Sequence, residues 1–110
     1  MKQYVIDEIR PTDHERLKDR LDEYFGAPDL GDIYWLPMEP RLYTATQAAH
    51  DQCHPLCISL YLCPDSLVCE FLVRTKNRIR CDCMAYATPA QREWIIETVD
   101  AMLEGLEIMF

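Results

Sequence analysis

Apolar residues recur along this chain with two different periods, and the switches between them mark out its elements. From about Asp13 to Phe25, the positions Leu17, Leu21, Tyr24 and Phe25 form one stripe at helical spacing, and Gly26 follows as a natural stop. A longer helical stripe runs from about Pro89 to Leu106 through Ile95, Val99, Met102, Leu103 and Leu106, with Trp94 beside it. Between them a short helix is expected from about Ala45 to Cys53. It ends before Pro55, whose ring disfavours helical backbone at His54. Thr12 with Glu15, Thr44 with Gln47 and Thr88 with Gln91 each have the spacing of a capping box. Pro89 falls at a first helical position, where a missing N–H removes no bond.

Elsewhere the period shortens to two. Tyr4 to Ile9 and Ile33 to Leu36 read as strands, with Pro37 and Pro40 bounding the second at an edge or strand end. The stretch from Leu56 to Tyr86 reads as a three-stranded meander with turns at Pro64-Asp65-Ser66 and Thr75-Lys76-Asn77. Demanding one continuous apolar face sets the register. It pairs Leu62 with Leu67, Leu60 with Cys69 and Ile58 with Phe71, and then Val73 with Ile79, Phe71 with Cys81 and Cys69 with Cys83. The opposite face then carries Cys57, Ser59, Tyr61, Cys63, Val68, Glu70, Leu72, Arg74, Arg78, Arg80, Asp82 and Met84, with Glu70 opposite Asp82. The expected fold is a single α+β domain over residues 1–110, in the order β-α-β-α-β-β-β-α. Its sheet is mostly antiparallel, and its helices lie mainly on one face.

Composition narrows the class. A chain of 110 residues that is 49% hydrophobic can build a core without staples, and no apolar run is long enough to span a bilayer. Acidic residues near the start, where a signal peptide would be apolar, lead to a cytoplasmic expectation. The formal net charge of −8 repels a phosphate backbone, which argues against nucleic acid as a partner. No glycine-rich phosphate loop and no nucleophile elbow occurs, so the reading leans away from an enzyme.

Six cysteines then raise the question of thiol chemistry. The register places Cys69, Cys81 and Cys83 on the core face, where thiols pack as small apolar groups. Three such thiols could also hold a metal, and a Cys69–Cys83 disulfide is conceivable across the strands, although a reducing compartment disfavours it. The sharper cluster is His50-Asp51-Gln52-Cys53-His54-Pro55-Leu56-Cys57. His50, Cys53, His54 and Cys57 have the ligand chemistry of zinc or iron, but within eight residues they strain a tetrahedron; zinc sites use two ligand pairs separated by a longer loop. No other cofactor is expected. The same cysteines admit a thiol-nucleophile reading, with His50 or His54 as base. Arg74, Lys76, Arg78 and Arg80 gather positive charge on one hairpin, so Arg74, Arg78 and Arg80 are candidate contacts for an anion or partner. The half-apolar outer sheet face suits a protein partner, with a second copy (a homodimer) as the simplest. The leading expectation is therefore an interaction or regulatory module, with a zinc- or iron-binding protein as its rival.

Overall fold

The computed structural model describes residues 2–28, 31–75 and 81–108. Its organising element is the strand β3 (Leu56–Leu62), in which Leu56, Ile58, Leu60 and Leu62 point inward and are almost wholly buried. Both edges of β3 are paired. On one side lies β2 (Ile33–Pro37), antiparallel, with Tyr34 opposite Leu60 and Leu36 opposite Ile58. On the other side β4 (Leu67–Glu70) and β5 (Leu72–Thr75) follow one another. Beyond these, β1 (Gln3–Ile6) pairs with β4 and β6 (Ala85–Tyr86) pairs with β5.

Because Cys69 lies opposite both Leu60 and Tyr4, these residues and Tyr34 share one face of the sheet. The helices cover that face. Leu17 and Leu21 of α1 (Pro11–Phe25) are buried on it, and so are Ile95, Val99 and Leu103 of α3 (Pro89–Gly105). Two tyrosines tie the layers at their polar tips. The Tyr34 hydroxyl donates to Asp22 on α1 and the Tyr4 hydroxyl to Asp100 on α3. Burial, with the Asp100 carboxylate beside it, pushes the Tyr4 phenol up to about 12. The α+β class, the mostly antiparallel sheet and the one-sided helices are as the apolar pattern implied. Among the described residues, no helix is long and apolar enough to cross a membrane.

The first hairpin has the expected register, with Leu62 opposite Leu67 and Leu60 opposite Cys69. Beyond it the second predicted strand is broken. Phe71 donates its N–H to the Lys2 carbonyl and accepts at its own carbonyl from Ala87 N–H, bridging β1 and the end of β6. The pairing with β3 resumes two residues out of step, at Cys57 opposite Arg74 and Leu56 opposite Thr75, so the extra residues form a bulge.

The third strand differs more. Val73 lies opposite Ala85, not Ile79, which is outside the described residues. Cys69 lies opposite Tyr4 and not Cys83, while Glu70 lies opposite Gln3 and not Asp82. Residues 81–84 form a turn closed by Met84 N–H on the Cys81 carbonyl at 3.0 Å. The apolar alternation assumed the shortest connection after Thr75, whereas Asp82 is a turn former that ends any strand through the cysteines.

Two helix starts are as expected. Thr44 and Thr88 each accept from the backbone of their glutamine three residues on, and each glutamine reaches back to the cap N–H. The first start is displaced. Pro11, whose fixed φ suits a first turn, opens α1 with Arg10 as its cap, so Thr12 lies inside the helix and makes no cap bond. Asp13, 3% exposed, takes the first-turn role instead, held by Arg10 at 3.1 Å and Arg16 at 3.2 Å. Gly26, at φ 78°, ends the helix in a conformation that side chains resist. These starts predict that Thr88→Ala lowers unfolding stability by about 1 kcal/mol, whereas Thr12→Ala changes it by less than about 0.5 kcal/mol. Urea denaturation of the two variants checks the difference, and equal losses would contradict it.

Candidate metal centre

The site is built from two tight turns. The segment expected as one helix from Ala45 to Cys53 is two pieces: α2 (Ala45–Ala49), then a 3₁₀ turn over Asp51–Cys53. His50 is the break between them, at φ −94° and ψ 67°, and Cys53 N–H closes onto its carbonyl at 2.9 Å. That closure sets His50 and Cys53 on the same side of the turn. The turn at residues 81–84 brings up Cys81 and Cys83 from the other end of the meander.

One imidazole and three thiols therefore converge. The candidate ligand atoms of His50, Cys53, Cys81 and Cys83 all lie within 4.8 Å of one another. His50 Nδ1 is 3.1 Å from Cys81 Sγ, and Cys53 Sγ is 3.6 Å from it. Around a tetrahedral ion with bonds of about 2.0–2.3 Å, neighbouring ligand atoms are separated by about 3.5–3.8 Å. The four side chains could hold a metal ion with only small rotations. Cys53 and Cys83 are buried, while His50 and Cys81 are partly exposed at a surface cavity of about 450 Å³.

The thiols differ electrostatically. The Cys83 backbone N–H, the Cys83 and Cys53 thiols and His50 all donate toward the Cys81 sulfur, lowering its pKa to about 6. Burial pushes the Cys83 thiol up to about 12, with Cys81 and Cys53 beside it adding to the shift. Cys69, remote from this group in the core, is also pushed up to about 12 by burial.

A buried amide network fixes the two turns relative to each other. Gln47 closes the α2 capping box with its Oε1 and donates from Nε2 to the Cys83 carbonyl at 3.3 Å. Gln91, from the α3 capping box, donates to Gln47 Oε1 and to the Leu42 carbonyl, both at 2.9 Å. Both side chains are at most 1% exposed. Each glutamine thus caps its own helix and ties that helix start to another segment of the site.

Of the four ligands suggested by His50-x₂-Cys53-His54-x₂-Cys57, the fold brings together His50 and Cys53. His54 instead donates from Nε2 to the Gln47 carbonyl at 2.7 Å and packs its ring 4.8 Å from that of Tyr43. Cys57 is buried on the outer face of β3, beyond the sheet from the core. Sequence reading grouped Cys81 and Cys83 with Cys69 on a strand as possible ligands and so missed their meeting with His50 and Cys53. The available signal was Asp82 between two cysteines: a turn there gives two ligand pairs separated by a long segment, the arrangement that zinc sites favour. No disulfide joins the six cysteines.

Arg74 stands on the outer sheet face with its guanidinium 5.8 Å from the Trp35 ring, and its buried Nε has no hydrogen-bond partner among the described residues. Arg78 and Arg80 lie outside the described residues. No protein-family model matches the chain, and neither a curated protein nor a solved structure does.

The thiol order has a direct consequence for metal-free protein. A thiol at about 6 is mostly thiolate at neutral pH, whereas one at about 12 stays protonated. Iodoacetamide should therefore modify Cys81 first, at a rate that falls as the pH drops through about 6, and leave Cys69 intact. Peptide mapping by mass spectrometry checks the order, and preferential labelling of Cys69 would contradict it.

Proposed function

We propose that this chain is a zinc-binding domain in which His50, Cys53, Cys81 and Cys83 hold one ion that clamps the α2 segment to the turn before β6. The observation that carries the proposal is the convergence of four ligand atoms within 4.8 Å from two separate turns. The donor set favours zinc. Three thiolates and an imidazole suit a borderline-soft cation without geometric demands, and four protein ligands leave no open position for substrate. The role is accordingly structural. Three thiolates and Zn²⁺ sum to one negative charge, so the ion offsets the burial and repulsion that otherwise keep Cys83 protonated.

Second-sphere contacts fit this role. Gln47 and the Cys83 carbonyl hold the second turn to α2, and the Cys83 N–H faces the Cys81 sulfur, where it would stabilise a bound thiolate. On this reading the chain is a metal-stabilised module, and its surface carries whatever contacts it makes.

Protein purified without a histidine tag should contain one zinc per chain by plasma mass spectrometry. Removal by chelator should lower the melting temperature by more than about 10 °C, the size expected when the free ion exceeds its dissociation constant about a hundredfold. Cys83→Ser should abolish the stoichiometric ion, and Cys57→Ser should leave it in place. The reverse pattern would return the site to the His50–Cys57 segment, and metal-free protein unaffected by added zinc would end the proposal.

A further inference from the structure

The three sulfurs of the cluster do not meet solvent equally. The cavity of about 450 Å³ beside them has Cys53 and Cys81 in its walls, together with His50, but not Cys83. Cys81 also lines a second opening, with Leu72, Asp82 and Met84. Cys83 is 1% exposed and Cys53 3%, whereas Cys81 is partly exposed. A small oxidant such as hydrogen peroxide therefore reaches the Cys81 sulfur from two sides and is kept from Cys83.

Cys81 also has a second thiol within reach. Cys53 Sγ stands 3.6 Å from Cys81 Sγ, and the two residues lie 28 positions apart on different turns. A disulfide of about 2.0 Å asks the sulfurs to approach by about 1.6 Å. A Cys81–Cys83 bond would instead close a small ring through Asp82, straining the turn that Met84 N–H closes on the Cys81 carbonyl. Cys53 is the partner that leaves both turns as they are.

We propose that Cys53 and Cys81 form a redox pair, in which peroxide oxidises Cys81 and Cys53 resolves it as an intramolecular disulfide. The Cys81 thiolate attacks one peroxide oxygen. An S–O bond forms as the O–O bond breaks, and the departing hydroxide takes up a proton as water. The Cys53 thiolate then attacks the sulfenic sulfur. An S–S bond forms as the S–O bond breaks, and the second oxygen leaves as water once protonated. Two thiols are oxidised and one peroxide is reduced to two waters.

Resting on the zinc reading, the bond has a second consequence. It consumes two of the four ligands, and His50 with Cys83 is too small a set to hold the ion. The same bond joins the turn at Asp51–Cys53 to the turn at 81–84, which the ion would otherwise clamp. Oxidation thus releases zinc while a covalent link keeps the two turns together.

The test treats the full-length chain with equimolar hydrogen peroxide, both zinc-loaded and metal-free. Peptide mapping without reduction should find Cys53 joined to Cys81, and the zinc-loaded chain should release one zinc per bond to a colorimetric chelator. The oxidised zinc-free chain should melt at least about 4 °C above the reduced zinc-free chain. Cys53→Ser should stall the reaction at a sulfenic acid on Cys81, trapped by dimedone, and Cys57→Ser should leave the product unchanged. Should Cys53→Ser misfold, mapping of the unaltered chain still decides. A Cys81–Cys83 bond, first oxidation at Cys83, or six thiols left reduced would overturn the proposal while zinc binding stands. A chain that binds no zinc yet joins Cys53 to Cys81 would end the zinc reading and support the redox pair.

Discussion

Two buried glutamine side chains hold together two helix starts and a turn that lie well apart in the sequence. Gln47 and Gln91 each close a capping box, and the amide of one donates to the amide oxygen of the other. Gln47 in turn donates from Nε2 to the Cys83 carbonyl. An unpaired buried amide loses about 1–3 kcal/mol, so the network stands or falls as a unit. Its consequence is positional: the starts of α2 and α3 and the turn carrying two cysteines are fixed relative to one another. The His54 bond to the Gln47 carbonyl closes the far end of the same short helix.

On that frame the sheet and the cysteine cluster answer to different physics. Burial of β3 between two paired edges, beneath Leu17, Leu21, Val99 and Leu103, supplies the apolar driving force. The cluster contributes little of that kind. It gathers polarizable thiols at the rim of the core, where Cys83 is kept neutral by burial while Cys81 is drawn toward thiolate by the donors around it. Such an asymmetric set could be completed by a metal cation, whose charge would offset that of the thiolates.

How much of this was legible in the sequence follows from which rules act locally. The Thr44 and Thr88 capping boxes, the Gly26 stop and the Leu60–Cys69 register each depend on a few adjacent residues, and each was readable. The Thr12 box was not, because Pro11 one residue earlier starts the helix first. The third strand failed for a different reason. Apolar alternation through Ile79, Cys81 and Cys83 mimics a strand, and only the bulge at Phe71 and the turn around Asp82 reveal where pairing stops. Half of the candidate site was therefore visible as His50 and Cys53. Its other half, Cys81 and Cys83, carried only the turn signal of Asp82, and the closure that brings that turn to α2 is made at long range by the Gln47 bond to the Cys83 carbonyl.

The central claim concerns what the four side chains surround, and X-ray absorption at the zinc edge of zinc-loaded protein tests it most directly. Zinc held by His50, Cys53, Cys81 and Cys83 should show three sulfurs at about 2.3 Å and one nitrogen at about 2.0–2.1 Å. A shell dominated by oxygen, or one with two imidazoles and two sulfurs, would contradict it.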